Sequence, residues 1–131
     1  MIGLDTNVLV RYLTLDDPAQ SARASDILER ELTRESPGFV SAVVVAELVW
    51  VLERAYRWDR SAVAAAVEGL LQVEELRLEH EAEVYTAMFE LRRSGADFAD
   101  GLIGAIAASA GCSRTLTFDR AAQRRPGFAA A

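Results

Sequence analysis

Short apolar runs alternate with segments of helical period along the whole chain, and no other feature restricts the fold as strongly. Residues 1–4, 39–40, 76–78 and 115–118 read as strands, brief and apolar. Between them, Asp17-Pro18 gives an N-cap with proline at the first helical position. Ala22, Ile27, Leu28 and Leu32 form an apolar face, and the helix is expected to stop near Ser36-Pro37-Gly38. Ser41 caps a second helix over 42–57, apolar at Leu48, Val51, Leu52 and Ala55. Asp59 precedes a third over 62–71, residues 80–93 are amphipathic up to Ser94-Gly95, and Asp97 caps a helix over 98–110 that Gly111 stops. Residues 120–131 read as one short turn and a tail. Repeated strand and helix predict an α/β domain of three layers, α/β/α, with a small, mainly parallel central sheet.

At 131 residues the chain has the length of one domain, expected to span 1–131 without an internal linker. With 51% apolar and 26% charged residues it is neither a disordered tail nor a fibre. Its longest apolar run, about 102–110, is short of the ~20 residues that span a bilayer, and the first residues lack the basic flank of a signal peptide. No membrane partner and a cytoplasmic location are expected.

The residue inventory excludes several chemistries. One cysteine, Cys112, makes no internal disulfide, and one histidine, His80 between Glu79 and Glu81, supplies neither a zinc site nor a Ser-His-Asp set. All 14 basic residues are arginine, which excludes Schiff-base chemistry and a phosphate-loop lysine. The net charge of −6 argues against nucleic acid, but its distribution is uneven. Residues 1–91 hold eight arginines against seventeen acids, while residues 92–131 hold six arginines against three.

What remains is oxygen chemistry. In open parallel sheets the active crevice lies at the carboxyl ends of strands, where Asp5 and Asp119 stand. Thr117 points to the same face as Asp119 while the strand lasts. Glu47 and Asp100 lie in helices that otherwise read as buried, where an ionised carboxylate needs a partner. Four such carboxylates repel one another unless a hard divalent cation, Mg²⁺ or Mn²⁺, joins them, and such an ion activates water and stabilises charge on a phosphate. Each acid also has a plain structural reading: turn residues for Asp5 and Asp119, a surface acid for Glu47, a helix-dipole partner for Asp100. The residues alone leave both readings open.

Four blocks, in order, resemble the PIN-domain signature. These are Ile2-Gly3-Leu4-Asp5-Thr6-Asn7-Val8-Leu9; Val45-Ala46-Glu47-Leu48; Asp97-Phe98-Ala99-Asp100-Gly101-Leu102-Ile103-Gly104-Ala105; and Thr115-Leu116-Thr117-Phe118-Asp119. The resemblance covers about residues 1–127, and length and spacing are similar to the VapC toxins of bacterial toxin–antitoxin pairs. It implies a metal-dependent endoribonuclease cutting structured RNA such as transfer or ribosomal RNA, with Asp5, Glu47, Asp100 and Asp119 around Mg²⁺ or Mn²⁺. Thr6, Asn7 and Thr117 would position water or the acids, and Asp97 would face the same site or serve only as a cap.

The resemblance also implies a homodimer and a cognate VapB-like antitoxin. Val49, Trp50, Tyr56 and Trp58 are the candidates for such interfaces. Arg92, Arg93, Arg114, Arg120, Arg124 and Arg125 are the candidates for RNA phosphates. Gly101 and Gly104 depart from the family's usual alanine after the third acid, which is expected to loosen that helix without removing a ligand. Other readings are a PIN nuclease of RNA processing with no toxin role, and an inert PIN-like scaffold, which the intact acids disfavour. An aspartyl phosphatase is opposed by Asn7, where a second acid belongs, and by the missing lysine.

Overall fold

A computed structural model describes all residues, Met1–Ala131, in two compact units, Met1–Glu81 and Ala82–Ala131. In the first unit, strand β1 (Ile2–Gly3) runs into helix α1 (Thr6–Thr14), whose N-cap is Asp5. Helix α2 (Pro18–Asp26) follows, with Asp17 accepting from the Gln20 amide, and winds on through a π turn at Ile27–Glu31. Strand β2 (Gly38–Val40), α3 (Ala42–Arg54), α4 (Arg60–Leu71) and β3 (Leu76–Leu78) complete it.

The three strands form one parallel sheet in the order β1-β2-β3, with Ile2 opposite Gly38 and Gly38 opposite Leu76. Gly38, at the centre, has no room for a side chain: a Cβ would lie 2.8–3.0 Å from Leu32, Leu4 and Leu76. Leu9, Val40, Val45, Leu48, Leu52 and Val63 are wholly buried, each contributing about 1.5–3 kcal/mol over an exposed position.

The helix that begins at Pro18 ends earlier than expected. Leu32 leaves it in an extended conformation to bury itself against the sheet, and a loop closed by the Ser36 amide on Thr33 Oγ1 leads to Gly38. Ser21, Ala24 and Leu28, rather than Ala22, are its buried residues. Helix α3 likewise stops at Arg54, and Ala55 is exposed. Tyr56 turns away to bond Asp16, and Arg57 takes a left-handed conformation (φ 54°).

In the second unit, α5 (Glu81–Ser94) and α6 (Phe98–Ser109) precede β4 (Thr115–Thr117), α7 (Arg120–Gln123) and β5 (Phe128–Ala130). His80, exposed and with φ 55°, precedes α5 rather than joining it. The tail is more ordered than its composition suggested. Strand β5 pairs in parallel with β4, Thr115 opposite Phe128, and the Thr115 and Ala131 amides donate to the Gly127 and Thr117 carbonyls. Phe128-Ala129-Ala130 is too short and alanine-rich to announce a strand; α7 reverses the chain and brings it alongside β4. No helix is long and apolar enough to cross a membrane.

Candidate active site

Three of the candidate acids owe their place to a helix start. Asp5 follows β1, and its Oδ1 accepts the Thr6 amide at 2.8 Å. Asp119 follows β4, and its Oδ1 accepts the Ala121 and Ala122 amides at 2.8 and 3.1 Å. Asp97 precedes α6, and its Oδ1 accepts the Asp100 amide at 2.9 Å. Unpaired amides and the positive end of the dipole favour a carboxylate at each place. Each bond uses Oδ1 and leaves Oδ2 to take another partner. The caps that explain these residues structurally therefore do not compete with a ligand role.

In the first unit, Asp5 and Glu47 come together. With Thr6, Asn7, Val10, Arg11, Val51, Ala55 and Tyr56 they line an open cleft of about 330 Å³. Glu47, in the second turn of α3, is exposed, contrary to the buried setting its apolar neighbours suggested. Val45 and Leu48 turn inward on the same helix, which leaves position 47 to the opposite side. Thr6 is buried, while Asn7 is exposed beside both acids.

The wall of this cleft holds a network the sequence did not disclose. Arg11 Nη1 donates to Asp16 Oδ1 at 2.8 Å and to the Tyr56 hydroxyl at 3.3 Å, and its Nε donates to Gln20 at 2.7 Å. Tyr56 donates to Asp16 Oδ2 at 2.6 Å. The Tyr56 hydrogen bond first, then those from Thr14 and Arg11, pull the Asp16 carboxyl down to about 2. Nothing in the local spacing ties Tyr56 to Asp16, forty residues earlier. Only the fold joins them.

In the second unit, Asp100 is half-buried in the first turn of α6. Its pKa is raised, chiefly by burial and then by the charges of Asp97 and Asp119, against a smaller opposing pull from Arg125. Asp97 thus adds its charge beside Asp100 as well as capping the helix. Thr117 Oγ1 accepts the Asp119 amide at 3.0 Å, so this threonine fixes the backbone that presents the acid.

Of the arginines read as phosphate contacts, Arg92, Arg93, Arg114, Arg120 and Arg124 are exposed. Arg93 approaches Glu90 at 4.0 Å. Arg125 differs: its side chain is 14% exposed, and it turns inward to Glu90 and the Asp97 carbonyl. Among the residues proposed for interfaces, Val49 belongs to the core, Tyr56 and Trp58 are half-buried, and Trp50 is exposed. Phe118, exposed to 87% between Thr117 and Asp119, is more exposed than any apolar side chain the sequence singled out.

The donors fit a hard divalent cation: carboxylate oxygens, two of them presented by helix caps with one oxygen to spare, and one acid whose charge is disfavoured by its neighbours. No group of three or more carboxylate, histidine or cysteine side chains is arranged to enclose a metal ion. The fit is one of chemistry and charge.

The family model described as PIN domain matches residues 2–128. The chain is also 27% identical over 118 residues to a protein named VapC ribonuclease from Aquifex aeolicus (strain VF5), covering 89% of this chain and 86% of that protein.

Proposed function

The chain belongs to the PIN-domain family, and from that premise we propose that it is a VapC-like endoribonuclease, a single PIN domain over residues 1–131 that hydrolyses phosphodiester bonds of structured RNA. Membership places it in the three-layer α/β/α class that the alternation of elements predicted. The similarity to a VapC ribonuclease supports the substrate class, transfer or ribosomal RNA being the first candidates. The observation that carries the reading is Asp100: an acid held half-buried beside Asp97 and Asp119 is unfavourable alone and favourable beside a cation.

Asp5, Glu47, Asp100 and Asp119 are the residues that would hold Mg²⁺ or Mn²⁺. When bound, such an ion supplies activation of water and charge stabilisation on the phosphoryl oxygens. The protein's own part is orientation. The Asp5 and Asp119 caps fix their carboxylates on helix starts, Thr117 sets the Asp119 backbone, and Asn7, exposed in the cleft with Asp5 and Glu47, would orient a water or the scissile phosphate. Arg92, Arg93, Arg120 and Arg124 lie on the basic C-terminal third and would take RNA phosphates.

The same reading includes a cytoplasmic homodimer and a VapB-like antitoxin that covers the site, with exposed Trp50 as a candidate contact. The test is physiological. Expression of the chain alone in a bacterium should stop growth and deplete a discrete RNA, whereas Asp119→Asn at equal abundance should do neither. Normal growth with abundant folded wild-type protein would remove the toxin role, and growth arrest by Asp119→Asn would remove the site assignment.

A further inference from the structure

Two glycines one turn apart on α6 receive side chains from the C-terminal segment. A Cβ at Gly101 would lie 2.7 Å from Arg125 Nη2 and 3.3 Å from Ala87, and one at Gly104 would lie 2.5 Å from the Phe128 ring. These glycines do not simply loosen the helix, as the sequence suggested; they make room for a guanidinium and an aromatic ring. The segment that carries both is itself held. The Arg125 amide donates to the Ala122 carbonyl at 3.0 Å, the Phe128 amide donates to the Arg125 carbonyl at 3.1 Å, and β5 pairs with β4.

Arg125 therefore arrives at α6 in a fixed position. Its Nη1 donates to the Asp97 carbonyl at 3.3 Å, and Nη2 faces Glu90 Oε2 at 3.9 Å. The Asp97 carbonyl also accepts the Gly101 amide at 3.0 Å, and the Asp97 side chain accepts the Asp100 amide. Arg125 thus grips the residue that closes the first turn of α6 from both its backbone and its side chain. Asp100 sits inside that turn. A planar fork committed to two protein partners, with 14% of its side chain exposed, has little left to offer a phosphate. Exposed Arg120 and Arg124 on the neighbouring turn keep that capacity.

We propose that Arg125 is a positioning residue for the third acid: through the Asp97 carbonyl it holds the first turn of α6, fixing how Asp100 is presented, and it does not bind RNA. The inference rests on the assignment of Asp100 to the cation site. It acts at a distance from the reacting atoms, by restricting one helix turn.

The test compares Arg125→Gln with wild type in three readouts. With a fluorogenic RNA and Mn²⁺, kcat should fall about tenfold to a hundredfold while KM stays within about twofold. With a non-cleavable 2′-O-methyl RNA, the salt dependence of binding should keep its slope, whereas Arg120→Gln should lower the slope by about one. Amide hydrogen exchange at Asp100 and Gly101, measured without metal or RNA, should accelerate. Gly101→Ala, which crowds the guanidinium without removing its charge, should reproduce the kcat loss and the faster exchange, so a poorly folding Arg125→Gln still leaves a decision.

A salt slope lowered by one, or a raised KM with kcat intact, would make Arg125 an RNA contact and overturn the proposal. So would unchanged exchange at Asp100 and Gly101. If wild type cuts no RNA while exchange responds as expected, the nuclease reading fails and the hold on the turn stands; if wild type cuts and Arg125→Gln matches it in kcat, the positioning role fails alone.

Discussion

Asp97 closes the first turn of α6 by accepting the amide of Asp100 at 2.9 Å, and its charge simultaneously disfavours ionisation of the Asp100 carboxyl. One acid therefore builds the turn that carries another and repels it. The two effects separate by substitution. Asp97→Ala loses the cap and should cost about 1 kcal/mol of stability, while Asp97→Asn, an equally good cap without the charge, should cost little. Urea unfolding of the two variants measures the difference.

Asp100 itself should exchange stability for function. Its carboxyl is held above the ordinary carboxylate range by burial first and by Asp97 and Asp119 next, so the ionised form is disfavoured in the fold. Asp100→Asn should raise the melting temperature in EDTA. Adding Mn²⁺ should raise it for wild type by mass action and leave the variant nearly unmoved. Thermal unfolding in both buffers provides the check.

The Asp16 network predicts an acid dependence of stability. The folded value, about 2, lies below the ordinary 3.8, so the unfolded chain takes up its proton first as pH falls. The contribution is therefore complete above about pH 4 and lost as pH drops through about 2. Tyr56→Phe removes the strongest of the bonds responsible. Its urea midpoint should fall below wild type at pH 6, and the gap should close as pH approaches 2.

The core under Glu47 should be sensitive to truncation. Leu48 is wholly buried one position beyond the exposed acid. Leu48→Ala should cost about 2–5 kcal/mol in denaturant unfolding. Glu47→Gln, at an exposed position, should leave stability within about 0.5 kcal/mol while removing the ligand.

The extent to which sequence disclosed this arrangement follows from range. Caps are local, so Asp17, Ser41, Asp59 and Asp97 could be read at helix starts, and strand ends pointed to Asp5 and Asp119. Pairing across distance was not legible. The tail strand pairs with β4 only because α7 reverses the chain, and the Arg11, Asp16 and Tyr56 network joins α1 to the end of α3. Leu32 left its helix to fill the space above Gly38, a packing demand that outweighs helical period. Glycine at 101 and 104 looked like a helix weakness because the side chains that occupy its space lie more than twenty residues onward.

Metal-dependent nuclease activity is decided by cleavage of a total cellular RNA pool by the purified protein with Mn²⁺ or Mg²⁺, beside EDTA and Asp5→Asn. Discrete fragments should form, disappear in EDTA, return when metal is restored, and never form with the folded variant. Equal cutting by Asp5→Asn, or an intact RNA pool after exposure to folded, metal-supplied wild type, would contradict this reading.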